Sequence, residues 1–464
     1  MGIFDKMIGN LPEVAGPTQK NLSFKEKMKW TLIVLVLFFV LGLIPLFGLG
    51  QNALQRFEFL SIILGASFGS ILSLGIGPLV TSSIVLQLLN GSGLVKFDLT
   101  SHEGRRRFQG TQKVLSIFFI VFEAAIYVFM SGLAPDPALR ASSALYFQME
   151  LLLVFQLTLG GLLVMFMDEV VSKWGFGSGI SLFIAAGVSQ SVFIRAFSWL
   201  PSPTNPSVST GAIPALVQSL GAGDPQTAML MLAAVVSTVV IFVAAVYMQA
   251  MKVEIPLSFG RIRGQGIRWP LHFVYTSNIP VILVSALMAN IQLWAQLLQN
   301  WGFPILGTFS GGQAATGIVS WLTPPNIVGQ AIQGSLRMSD IGVAAVFIFV
   351  LMVGAIVFSW FWVQTAGMDA RTQAKNIMAS GLQIPGFRRD ERVLERLLDR
   401  YIGPLTIMGA IAVGILAGLA DVSGALTNGT GLLLTVMIIY RLYEDIARQH
   451  LMDMNPMMRK FMGG

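Results

Sequence analysis

Long apolar stretches alternate with short polar ones along the whole chain. Hydrophobic runs fall near residues 31–48, 57–89, 114–133, 144–167 and 179–200, and again near 228–250, 273–298, 341–363, 401–419 and 431–443. A helix needs roughly 20 apolar residues to cross about 30 Å of hydrocarbon, and most of the runs are close to that length. In lipid every backbone amide must find a partner within the protein, and such lengths suit helices better than barrel strands. The pattern predicts an all-α membrane protein with ten transmembrane helices. Two runs depart from the norm: 431–443 is short, and 57–89 is too long for one straight crossing and is broken by glycine.

Hydrophobic residues make up 54% of the 464 positions and charged residues only 11%. A soluble domain carries about a quarter, so most of this surface must face something other than water. The charge is also lopsided. Of 30 Lys and Arg, only Arg56, Arg140, Arg195 and Arg337 fall on the side of the predicted membrane opposite the termini. The positive-inside rule assigns the basic side to the cytoplasm. Both termini are therefore expected there, in a multi-pass protein of the cell (plasma) membrane. Three basic groups stand out: Arg105, Arg106 and Arg107; then Lys252, Arg261, Arg263 and Arg268; then Arg371, Lys375, Arg388, Arg389, Arg392, Arg396 and Arg400. Such groups serve orientation and contact with anionic lipid, or docking of an anionic partner such as ribosomal RNA. The second and third lie in connections longer than helices require, which favours docking there.

A polar stretch at 201–227 divides the chain into halves of five spans each. An odd number per half gives the halves inverted topology. The expected organisation is a cytoplasmic segment 1–30, a first half 31–200, an external connector 201–227, a second half 228–448 with cytoplasmic loops 251–272 and 364–400, and a cytoplasmic tail 449–464. No sequence repeat is evident. The second span of each half nevertheless carries a helix breaker, Gly75-Ile76-Gly77-Pro78 in one and Ile279-Pro280 in the other. Interruptions at matching positions point to a central pathway between the halves, although simple kinks would look the same. Within 57–89 the small residues Ser61, Gly65, Ala66, Ser67, Gly69 and Ser70 suggest a short re-entrant segment ahead of a crossing helix, lining a cavity.

Candidate chemistry is sparse. Cysteine is absent, and the three histidines lie outside the apolar runs. Neither a metal site nor a cofactor is expected. Glu123 is the one acidic residue well inside a predicted span, and an intramembrane carboxylate is usually functional. Glu150, Asp168 and Asp421 lie nearer ends. No catalytic constellation falls within the spans, so an enzyme is not expected. A secondary transporter of a small solute is the alternative to a channel; ten spans and two broken helices allow it, but ion-coupled carriers need more intramembrane charge than this.

The residues also carry a resemblance. Leu74-Gly75-Ile76-Gly77-Pro78 running to Gln87-Leu88-Leu89 is similar to the second span of the SecY family, the pore-forming subunits of the Sec translocon. Phe108-Gln109-Gly110, the stretch from Asp168-Glu169 through Ser172-Lys173-Trp174-Gly175-Phe176-Gly177-Ser178-Gly179-Ile180, and Val253-Glu254-Ile255-Pro256 resemble the same family in order. So do Ser277-Asn278-Ile279-Pro280-Val281-Ile282, Gly386-Phe387-Arg388 and Gly429-Thr430-Gly431 with the leucines that follow. The archaeal branch is the nearest in character.

That resemblance implies two inverted five-helix halves around a central pore, and a protein-conducting channel for secretion and for lateral insertion of helices. It places a constriction ring on Ile76, Val80, Ile180, Ile184, Ile282 and Leu434, all aliphatic here. A narrow apolar ring dewets and blocks ions. The plug would fall near 58–68. The lateral gate, between spans two and three on one side and seven and eight on the other, would carry a polar cluster of Thr81, Glu123 and Asn290. Arg261, Arg263 and Arg388 would contact the ribosome. Implied partners are a SecE-type subunit, a small beta-type subunit, the ribosome, the nascent polypeptide with its signal sequence, and membrane lipid. No nucleotide-binding motif is present, so energy is expected from a partner.

Overall fold

The computed structural model describes residues 10–18, 22–52, 67–91, 94–95, 97, 101–130, 132–136, 138–139, 143–201, 208–259, 266–276, 279–310, 313–379, 382–383, 390–427 and 429–454. Among them are ten long helices: α1 (Phe24–Gly42), α2 (Gly77–Gly91), α3 (His102–Phe129), α4 (Ser143–Trp174), α5 (Gly179–Phe197), α6 (Pro225–Ala250), α7 (Ile279–Asn300), α8 (Met338–Thr365), α9 (Glu391–Val422) and α10 (Gly429–Met454). They answer one for one to the ten predicted runs. Eight segments, containing α2 to α9, are long and apolar enough to cross a membrane. The remaining two, α1 and α10, are apolar for only part of their length: Lys25, Glu26, Lys27 and Lys29 occupy the start of one, and Arg441, Glu444 and Asp445 the second half of the other.

Several helices outrun the apolar stretch that predicted them. α3 begins at His102, where Ser101 caps it by accepting the N–H of Gly104, and so takes Arg105, Arg106 and Arg107 into its first turns. α9 begins at Glu391 behind the cap Asp390. Capped ends without a breaker let a helix continue into water beyond the bilayer.

Packing separates inner from outer faces. One contiguous core joins Leu74, Ile76, Val80, Ile120, Leu157, Phe183, Ile184, Ile282, Phe347 and Leu434. Outward positions keep large apolar side chains bare, among them Val36, Phe118, Phe155, Val240 and Trp360. A soluble protein would not expose such a belt; lipid covers it. Small residues allow close approach where helices cross. At Gly160 of α4, a Cβ would stand 1.9 Å from the carbonyl oxygen of Ile71.

Residues 67–76, the first described part of the over-long run, are irregular backbone, and their serines explain how that survives in the interior. Ser70 Oγ donates to Ser67 O at 2.7 Å, Ser73 Oγ donates to Ser70 O at 2.5 Å and accepts from Gly69 N at 2.9 Å, and Ser67 Oγ reaches Gly42 O at 3.1 Å. A single 3-10 turn, Ile71–Leu74, then leads to Gly75, whose φ of 53° only glycine adopts cheaply. The start of the run, 57–66, lies outside the described residues, and with it most of the stretch expected to be a plug.

The breakers predicted in the second span of each half turn out to be helix starts. Pro78 and Pro280 are each the second residue of their helix, α2 and α7. Proline fits there because the first amides of a helix have no intrahelical acceptor to lose.

On the side of the termini, the two long connections are structured as one module. Strands β3 (Lys252–Phe259) and β4 (Gly266–His272) form a hairpin, and β7 (Leu382–Gln383) pairs with β3 through Ser258↔Gln383 and Phe259↔Leu382. Ile255 and Leu257 alternate inward along β3 and meet Ala374, Ile377, Leu394 and Leu398 in a second, smaller core. Alternation of period two gives a strand one buried face. On the opposite side lie two small antiparallel pairs, β1 (Leu49–Asn52) with β2 (Leu133–Pro135) and β5 (Gly307–Ser310) with β6 (Gln313–Gly317), and the short helix Ala212–Ala222.

Candidate functional site

Four helices begin inside the protein, and their first turns carry the predicted ring. Val80 stands three residues after the start of α2, and Ile282 three after the start of α7. Ile184 stands five residues after the start of α5, and Leu434 five after the start of α10. Ile76 immediately precedes α2, and Ile180 is the second residue of α5. At 1.5 Å of rise per residue, all six lie within about 8 Å of a helix start. The equal offsets pair α2 with α7 and α5 with α10, the correspondence that inverted halves require.

Five of the six are buried in the main core: Ile76, Ile184 and Leu434 at 1% exposure, Val80 at 3% and Ile282 at 6%. Ile180 is partly exposed and packs against the same core. The difference has a location. Val80, Ile180 and Ile282 line a cavity of about 560 Å³ whose lining also includes Gln87, Gln112, Arg441 and Asp445. The cavity is thus a vestibule lined by polar as well as aliphatic side chains.

The predicted polar cluster is brought together. Thr81 sits one residue from Val80 on α2 and turns the other way. Its hydroxyl lies 3.0 Å from Glu123 Oε1 on α3 and 2.9 Å from Gly77 O, and accepts from Asn290 Nδ2 on α7 at 3.0 Å. Glu123 is 1% exposed, and its Oε2 has no hydrogen-bond partner among the described residues. The Asn290 bond bridges α2 and α7. Two further contacts were missed by sequence reasoning: Ser82 with Ser116 at 2.6 Å, and Gln112 Nε2 donating to Ser83 Oγ at 2.6 Å. They bind α2 to α3 as one unit. The available signal was polar residues inside apolar runs of neighbouring spans.

Arg261, Arg263 and Arg388 lie outside the described residues. Their flanks are informative: Phe259 and Gln383, the last described residues before each segment, belong to the paired strands β3 and β7. Within the same basic group, Lys252 and Arg268 both engage Glu254, at 3.4 and 3.1 Å, and hold its carboxyl below the usual range, Arg268 contributing most.

The comparisons agree with this geometry. The SecY family profile matches residues 70–443. The protein translocase subunit SecY of Methanothermobacter thermautotrophicus is 45% identical over 465 residues, covering 99% of this chain and 98% of its own. A solved protein-conducting channel superposes with a TM-score of 0.81 at 40% identity over 96% of both chains. Sec61 from the canine ribosome–channel complex of the endoplasmic reticulum does so at 0.79, with 40% identity and 96% of both. The fold and these matches define a multi-pass membrane channel for polypeptides. The chain belongs to the SecY family.

Proposed function

We propose that the six aliphatic residues seal the resting channel and stretch around a chain in transit. The observation that carries this reading is that the six residues, at the starts of four helices, share one apolar core and that three of them line the vestibule. A constriction of aliphatic side chains holds no water file and therefore stops ions, yet it offers no specific hydrogen bonds to a passing polypeptide. Residues 58–68 would cover the waist from the far side. The vestibule faces the cytoplasm in this reading, with both termini there and the protein in the cell membrane, as the basic bias requires.

The seam between α2–α3 and α7–α8 is the lateral gate. A leucine gains roughly 0.3–0.6 kcal/mol at mid-membrane, whereas lysine or aspartate costs about 2.5–3.5. One charge offsets several leucines, so sorting between pore and lipid is steep. A SecE-type and a small beta-type subunit complete the assembly. The ribosome docks on the module built by β3, β4 and β7, whose paired strands lead into the segments bearing Arg261, Arg263 and Arg388.

The test is joint polar replacement of Ile76, Val80 and Ile184 by serine or asparagine. Resting ion conductance in planar bilayers rises by at least about tenfold, since a wetted ring conducts; unchanged conductance removes the ring from the account. Charge reversal at Arg261, Arg263 and Arg388 weakens ribosome binding in a salt-dependent way.

A further inference from the structure

We propose that Asp168 and Asp421 are a matched pair of positioning residues that fix the depth of α5 and α10, and with them the level of Ile184 and Leu434. The proposal rests on the reading of the constriction as the channel's seal.

The first amides of a helix are normally satisfied by the side chain at its own N-cap. In α5 the N-cap residue is Ser178, and its side chain makes no capping bond. The acceptor comes instead from the helix before: Asp168 Oδ1 of α4 takes the N–H of Ile180 at 3.0 Å. In the other half Asp421, near the end of α9, takes the N–H of Thr430 on Oδ1 at 2.6 Å and the Thr430 hydroxyl on Oδ2. Both carboxylates thus act on the second residue of the following helix. Each places an acceptor oxygen at the positive end of that helix's dipole.

Steric fit repeats the pattern. The helices begin at Gly179 and Gly429. A Cβ at Gly179 would lie 2.6 Å from Asp168 Cα, and one at Gly429 would lie 2.1 Å from the carbonyl carbon of Ala420. Each start is therefore pinned against the preceding helix by contact and by a carboxylate. A helix is stiff over one and a half turns, so the pinned start sets the height of the residue five positions on, about 7.5 Å away. With inverted halves, the ring is levelled from both sides at once.

The full-length channel in proteoliposomes tests this. The chain has no cysteine, so Ile184→Cys and Leu434→Cys report ring accessibility to a membrane-impermeant thiosulfonate without background. Asp168→Ala raises modification of Ile184→Cys at least about threefold, the factor that loss of a cap corresponds to, and leaves Leu434→Cys alone. Asp421→Ala does the reverse. Asp→Asn at either position, which caps as well as aspartate, restores the parent rate. Ser191→Cys, further along α5, does not change. Unaltered ring rates, or a rise at Ser191→Cys as large as at Ile184→Cys, overturn the proposal. Failure of the seal itself shows separately: the polar triple variant at Ile76, Val80 and Ile184 then stays tight whatever the aspartates do.

Discussion

The two halves of the molecule solve one problem with different materials. At the waist they agree: α2 and α7 begin with proline at the second position and place an aliphatic residue three from the start, and α5 and α10 begin with glycine and place one five from the start. Away from the waist they differ. The first half precedes α2 with serine-braced irregular backbone, and the second precedes α7 with a hairpin that stands outside the membrane core. The difference teaches that the helix starts carrying the proposed ring are held in common, while the segments leading to them are specialised. Under the proposed function, such specialisation suits a plug on one side and a docking surface on the other.

The largest break in the symmetry comes from adding one carbon at the helix starts. Gly429→Ala forces a Cβ into backbone at 2.1 Å, and Gly179→Ala forces one toward Asp168 Cα at 2.6 Å. Backbone cannot rotate away as a side chain can, so both destabilise by about 2–3 kcal/mol, Gly429→Ala the more. Thermal unfolding of the purified channel in detergent reads the order, and a negligible shift at either position would break the correspondence of α5 with α10.

A smaller effect is expected at the seam, where the halves meet through the Asn290–Thr81 bond. Asn290→Leu removes the bridge and also removes a polar group that an open gate would present to lipid. Both changes favour opening, by about 1 kcal/mol or somewhat more. Signal sequences with fewer leucines then open the channel, measured as a lowered hydrophobicity threshold for translocation of a reporter. A raised threshold would contradict the gate reading.

Much of this was legible in the chain. Ten apolar runs gave ten helices because lipid leaves the backbone few alternatives. Thr81, Glu123 and Asn290 were named together and meet within 3.0 Å. What escaped was what depends on distance along the chain. The segment 251–272 was read only as a long basic loop, and neither its hairpin nor the two-residue strand Leu382–Gln383 pairing with Ser258 and Phe259 was seen. The prolines were read as interruptions of spans and are in fact their beginnings, because hydropathy reports where a run is greasy and not where its hydrogen-bond ladder starts. The capping carboxylates were noted only as acids near span ends, since nothing local ties Asp168 to Ile180 twelve residues later.

The smallest effect lies in how the connectors of α4–α5 and α9–α10 are braced. Near α9–α10 the ties include neutral ones: Ser237 Oγ donates to Ser423 O at 3.3 Å, and Leu426 N donates to Thr238 Oγ1 at 3.0 Å. Near α4–α5 several are ionic. Lys173 Nζ reaches Glu13 Oε1 at 2.5 Å and Val14 O at 2.6 Å, Val14 N donates to Glu169 Oε2 at 2.9 Å, Lys113 pairs with Glu169, and Trp174 Nε1 donates to Ala15 O at 2.8 Å. The Lys173 hydrogen bond holds the Glu13 carboxyl below its ordinary value of 4.5. A depressed carboxylate contributes stability above its unfolded pKa and loses it as pH falls through the folded one. Glu13 is well exposed, so screening keeps its contribution under about 1 kcal/mol. Acidification through and below pH 4.5 therefore loosens the N-terminal strap while the neutral ties of the second half hold. The signal is a shift in Trp174 emission, taken as the difference from Trp174→Phe, which Glu13→Gln flattens at neutral pH; a shift of equal size in the Glu13→Gln protein would assign the acid response to another group.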